Sequence, residues 1–237
     1  MKFFPKNTIF LVFFALLIGT DLAFIAIGFV HECYQVELLN ICQNFPLHSY
    51  YSIARDRGYA EMFQYIKVYW IILLLGYLII NAKKPIYSSW FFLFCYILID
   101  DVSEIHEKIG FKISNQLNFV PKLGLRAQDY GELLVSGIVG IIFLFVIAIS
   151  YHLAKKQEKA VFQKLILMLF VLAVFGIVID LVHILFDDHK FWNTIFILLE
   201  DGGEHIVMSL ITCFVYSLVN FYQSKQQVFQ IKQQKLD

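Results

Sequence analysis

The sequence predicts an all-α fold, a polytopic integral membrane bundle of about six transmembrane helices, on three observations. Hydrophobic residues fill 59% of the 237 positions and charged residues only 16%, whereas a soluble domain carries about 25% charged residues. Six runs, roughly 8–30, 64–82, 87–108, 131–153, 161–186 and 192–221, are long enough to cross a bilayer, since about 20 apolar residues in helical form span its hydrocarbon core. The runs are apolar all round, without the alternation of barrel strands. Helices then remain, because backbone groups in lipid must bond within their own segment. The whole chain, 1–237, reads as one membrane domain.

The first run follows Lys2 and Lys6, as a secretory signal would, but Ile9–Val30 is 22 residues long against about 7 to 15 for a signal core. It is expected to be a retained span. An external loop over 31–63 follows, with Pro46 and two cysteines, Cys33 and Cys42. In an oxidising compartment these two can join in a disulfide, whereas Cys95 and Cys213 fall inside spans and suit apolar packing. Tyr50, Tyr51, Tyr59, Tyr65 and Trp70 flank the second run, and Trp90 and Trp192 lie near others, as interfacial anchors do. The third run loses its apolar character after Ile99 and continues as an acidic helix. A polar tail, 224–237, extends or frays beyond the sixth.

The loop charges set the expected orientation. With an internal N-terminus, eleven basic residues are cytoplasmic (Lys2, Lys6, Lys83, Lys84, Lys155, Lys156, Lys159, Lys164, Lys225, Lys232 and Lys235). Eight are external: Arg55, Arg57, Lys67, Lys108, Lys112, Lys122, Arg126 and Lys190. The expected location is the inner (plasma) membrane with both termini cytoplasmic. The formal net charge is zero and no basic block is present, so nucleic acid is not an expected partner.

Clusters of ionisable residues intrude into four of the runs. An intramembrane charge costs about 2.5 to 3.5 kcal/mol on insertion scales, so each calls for a partner or a function. The sixth run carries Glu200, Asp201, Glu204 and His205 within Leu198–Met208. In the third, Asp100, Glu104 and Glu107 share a face about 60° wide on a continuous helix, with Asp101 and His106 beside them. The fourth opens with Asp129 and Glu132, and the fifth ends with Asp180, His183 and Asp187 on one face. Asp187, Asp188, His189 and Asp129 suit helix ends, where caps and solvent explain them. Asp21 is a lone acid midway along the first run. In the expected topology all four sets lie in the outer half of the membrane, which points to one shared site.

Carboxylate and imidazole one turn apart, in Asp180-x-x-His183 and Asp201-x-x-x-His205, match part of the ligand logic of carboxylate-bridged dimetal bundles. Such donors suit zinc, iron or manganese. The expected metal ligands are Glu104, Asp180, His183, Glu204 and His205, with Asp100, Glu107, Glu132, Glu200 and Asp201 as further ligands or their supports. Glu204 is the expected catalytic base.

Asp100-Asp101 with His106-Glu107, the acids Glu132 and Asp180, and Glu200-Asp201-Gly202 resemble a group of uncharacterised bacterial multi-spanning membrane proteins, over about 87–210. That resemblance implies a multi-span architecture and a polar centre, and no activity.

Three functions remain open on the sequence. One is a metal-dependent membrane hydrolase or oxidoreductase acting on a lipidic or quinone-like molecule. The second is a proton or divalent-cation transport protein, for which a break at Gly202 would speak; a continuous sixth helix and a blind cavity would favour a fixed metal centre. The third is a partner-binding assembly subunit, and homo-oligomers fit any of these. The topology has a direct test: reporter fusions after Lys84 and Lys159 should read cytoplasmic, and fusions after Asn44 and Arg126 external. An external signal after Lys159 would overturn the shared depth of the acidic sets.

Overall fold

The computed structural model describes residues 8–37, 39–44, 48–122, 124–184 and 189–234. The expectations on Lys2, Lys6, Pro46, Asp187, Asp188 and Lys235 lie outside the described residues. Six helical spans are long and apolar enough to cross a membrane: Thr8–Gln35, Tyr59–Ile80, Pro85–Ser103, Ala127–Leu153, Lys156–His183 and Lys190–Gln227. The fold is that of an all-α membrane bundle.

The elements are α1 (Thr8–Gln35), α2 (Tyr59–Ile80), α3 (Ser88–Ser103), α4 (Ile105–Gln116), α5 (Ala127–Leu153), α6 (Lys156–Ala173), α7 (Asp180–Ile184) and α8 (Lys190–Gln234). A π-helical turn, Val174–Ile179, joins α6 to α7. The sixth span is the axis: 72% of its most apolar stretch is buried, against 6% for the α6–α7 span. It packs against α1, α2, α6 and the π turn. Below its acidic segment, Met208, Ile211, Phe214, Val215 and Leu218 join Val68, Ile71, Leu75 and Leu78 of α2 and Trp90 and Phe94 of α3 in the main apolar core. By contrast α5 turns Ile138, Ile141, Ile142, Phe145 and Ile149 outward, as a helix facing lipid does.

Three expectations are corrected. The third span does not continue as one helix to residue 108. It ends at Ser103, and Glu104 adopts a left-handed conformation, φ 53° and ψ 43°, from which α4 starts in a new direction. The common face of Asp100, Glu104 and Glu107 is thereby lost. Second, the loop expected over 31–63 is shorter, because α1 runs on to Gln35 and α2 begins at Tyr59. The apolar count understated both helices, since their polar ends keep helical bonding where water or protein replaces lipid. Third, Lys67 is not an external loop charge. It lies inside α2, fully buried, and removing it from the outer tally sharpens the charge bias.

Two connections shape the end of the bundle where the acids gather. Cys33 and Cys42 are bonded, with Cα atoms 5.9 Å apart, tying the end of α1 to the loop that leads into α2. On the other side α4 folds back on α5, so close that a Cβ on Gly131 would strike the carbonyl group of Gly110. Only glycine permits that approach. The polar tail is a helical extension of α8 as far as Gln234.

Candidate functional site: a polar end to the bundle

Two polar cavities open at this end, with His106 lining both. The first, of about 160 Å³, lies between the α1–α2 loop, α2, the α3–α4 corner and α8, and reaches from Asp56 and Glu107 inward to Asp101, Asp201, Glu204 and His205. The second, of about 560 Å³, lies between Asp129, Glu132 and Leu133 of α5 and Gly176, Asp180 and His183 of the fifth span.

Eight of the ten sequence-predicted residues line one or the other, and Asp100 and Glu200 line neither. Asp180, His183 and Glu200 come together: one ligand atom from each lies within 4.8 Å of the others, the only such metal-capable group among the described residues. His183 Nδ1 stands 3.3 Å from Glu200 Oε2, and its Nε2 meets Asn193 Oδ1. A π turn lies just before Asp180 and changes the register of the α7 side chains relative to α6, and such bulges gather at functional sites.

Glu204 lies one turn further along α8. Its carboxylate fills the space over Gly176, where any Cβ would collide with it, and Gln64 Nε2 donates to its other oxygen at 3.2 Å. Gly203 accommodates the Phe175 ring in the same way. The paired glycines of α8 thus serve close packing, and the helix runs through them unbroken. Asp201 lines the first cavity.

The remaining predicted residues have other partners. Asp100 takes the backbone N–H of His106 at 2.9 Å and its Nδ1 at 3.0 Å, capping the start of α4. Glu104 pairs with Arg57 and, at 3.4 Å, with Lys108. Glu132 accepts from Gln128 at 2.6 Å. Asp129 closes the N-terminus of α5 by accepting the Arg126 backbone N–H at 2.7 Å and its guanidinium, which holds that guanidinium above its usual pKa. Burial pushes the Glu107 carboxyl above its ordinary range; His106 opposes this, and Asp56, Glu132 and Glu104 add to it.

His205 turns away from the trio. Its Nδ1 lies 3.1 Å from Lys67 Nζ, which also donates to the His205 carbonyl at 2.8 Å and to Asp21 Oδ1 at 2.9 Å. Ser209 donates to the second oxygen of Asp21. Asp21, Lys67 and Ser209 are all 0% exposed, so the ion pair sits in a dry interior between α1, α2 and α8. Asp21 is therefore not a lone acid. The sequence held a signal for this, a single lysine eight residues into an apolar helix, which counting loop charges obscured. Because the ammonium donates to Nδ1, the neutral ring carries its proton on Nε2.

The chain belongs to the family described as "Domain of unknown function (DUF8692)", which it matches over residues 9–218. No curated protein and no solved structure matches it. The match covers the second to fifth apolar crossings, all but the terminal ends of the first and sixth, both cavities and the buried ion pair, so these features lie within the family domain.

The ion pair yields a stability prediction. Removing one partner of a buried pair costs about 3 to 5 kcal/mol because it strands the other charge, while replacing both with apolar residues of similar volume is often close to neutral. Lys67→Met should therefore lower the melting temperature of the detergent-solubilised protein sharply, and Lys67→Met with Asp21→Leu should recover most of the loss. A double variant as unstable as the single would show that the charges themselves are required.

Proposed function

We propose that this protein is a membrane hydrolase with a fixed divalent-metal centre held by Asp180, His183 and Glu200. The mutual approach of those three side chains, from two helices and across a π turn, carries the reading. Two carboxylates and one imidazole suit zinc or manganese, and three protein ligands leave a coordination position for water, the pattern of catalytic zinc sites. A metal bound there would lower the pKa of that water. Glu204, one turn along α8 and held by Gln64, is the candidate base.

Several observations favour this over the other readings. Oxidation by a metal pair needs a second ligand set, and the described residues bring together one. Transport is disfavoured by the continuity of α8 through Gly202-Gly203 and by what lies beneath the Lys67 layer. There Ile71, Leu75, Leu78, Ile211, Phe214 and Leu218 close the bundle with apolar side chains. The larger cavity lies between α5 and α7, beside lipid-facing surface, and its apolar wall includes Leu133, Ile177 and Leu181. A substrate with a lipidic portion entering from the bilayer fits that position. The Cys33–Cys42 bond at this end supports placing the site on the oxidising face, with Lys83, Lys84, Lys155, Lys156 and Lys159 at the cytoplasmic end.

Metal binding is measurable before any substrate is known. Purified wild-type protein should carry close to one equivalent of metal and melt higher with added zinc or manganese, by about 2.7 kcal/mol at a hundredfold excess over Kd. Asp180→Asn should abolish both effects. Protein with no transition metal, and with a melting temperature indifferent to added metal, would contradict the proposal.

A further inference from the structure

The first cavity is chemically different from the metal trio. Asp101, Asp201 and Glu204 reach into it, and no Lys, Arg or His among the described residues forms an ion pair with any of the three. The cations at its rim are engaged elsewhere: Arg57 with Glu104, His106 with Asp100, and Arg55 with Ser49 and the face of Tyr50. Lys67 beneath the floor gives all its protons to Asp21 and His205. Negative charge in a confined, half-buried space is relieved by a counter-charge or by retained protons, and a cationic ligand supplies the first.

Gln64 supplies an independent observation. It lines this cavity, is 9% exposed, and donates its amide N–H to Glu204, yet its carbonyl oxygen is buried without a hydrogen-bond donor. A buried acceptor left unpaired is unfavourable, and a ligand N–H would relieve it. A bare metal ion does not answer this need. The cavity carboxylates are too far apart to converge three at a time on one ion, since the trio of the other site is the only such group among the described residues. A polyatomic cation with several N–H donors can reach separate acceptors at once.

We propose that this cavity binds a primary ammonium group, with Asp101, Asp201 and Glu204 as its anionic wall and the Gln64 carbonyl as a further acceptor. The site goes beyond the metal reading and shares only Glu204 with it, so the two stand or fall on different ligands. A soluble amine and the amino head group of a lipid share this chemistry.

The test uses the full-length protein in phosphatidylglycerol nanodiscs, titrated with ethanolammonium chloride and, at equal ionic strength, with tetramethylammonium chloride, which has no N–H. Ethanolammonium should raise the melting temperature saturably and tetramethylammonium should not. Asp201→Asn should weaken the half-saturation about tenfold or more, as loss of a charge-assisted bond does, and Asp180→Asn should leave it unchanged. Glu204→Gln gives the same reading if Asp201→Asn fails to fold. In nanodiscs containing phosphatidylethanolamine, a suppressed ethanolammonium response identifies the lipid head group as the natural source, and a preserved response identifies a soluble amine. No shift with ethanolammonium, an equal shift with tetramethylammonium, or a magnesium response that Asp201→Asn removes and Asp180→Asn leaves in place would overturn the proposal.

Discussion

A charge buried in a membrane bundle must be matched where it lies, and the pair Lys67–Asp21 shows what that constraint builds. Both groups are fully buried, so neither can turn to water, and each unmatched charge would cost several kcal/mol. The ammonium is satisfied by Asp21 on α1 and by the side chain and backbone of His205 on α8. Three helices are thereby held at one depth and rotation. The apolar residues beneath, from Val68 to Leu78 on α2 and from Met208 to Leu218 on α8, then pack without polar interruption. The ion pair is the boundary between the polar end and the dry end of the bundle.

Above that boundary, departures from regular helix position the acids. The left-handed residue Glu104 ends α3 and redirects the chain into α4, so that Asp100 caps the new helix while Glu104 meets Arg57. A non-glycine residue in that conformation costs of order 1 to 3 kcal/mol and persists where surrounding contacts hold it. The π turn precedes Asp180 and His183, which meet Glu200 of α8. Glycines at 176 and 203 remove the side chains that would keep the fifth span away from α8. These devices give two adjoining polar environments, one with nitrogen and oxygen donors gathered close together, the other with dispersed carboxylates.

Much of this was legible in the sequence. Hydropathy located six crossings, and the acidic segment of the sixth marked the helix that forms the axis. The grouping of Asp180 with His183 followed from spacing along one helix, and the pairing of Cys33 with Cys42 was a recognised option. What spacing could not convey was partnership between helices. Lys67 and Asp21 are 46 positions apart, and nothing in either segment alone shows that they meet. The break at Glu104 was hidden because Asp-Asp-Val-Ser-Glu-Ile-His-Glu has no glycine or proline, the usual signs of a helix end; tertiary contacts fix that conformation. The division of the acids into two groups depends on the same break and on the π turn, which hydropathy does not register.

The central claim is that one end of this bundle holds a metal at three named side chains and keeps it out of the neighbouring acidic cavity. Anomalous scattering from crystals of the protein grown with zinc or manganese tests this most directly. The account predicts a single strong peak within coordination distance of Asp180, His183 and Glu200, about 2.0 to 2.2 Å from the donor atoms for zinc. The absence of any peak there, or a peak between Asp201 and Glu204, would contradict it.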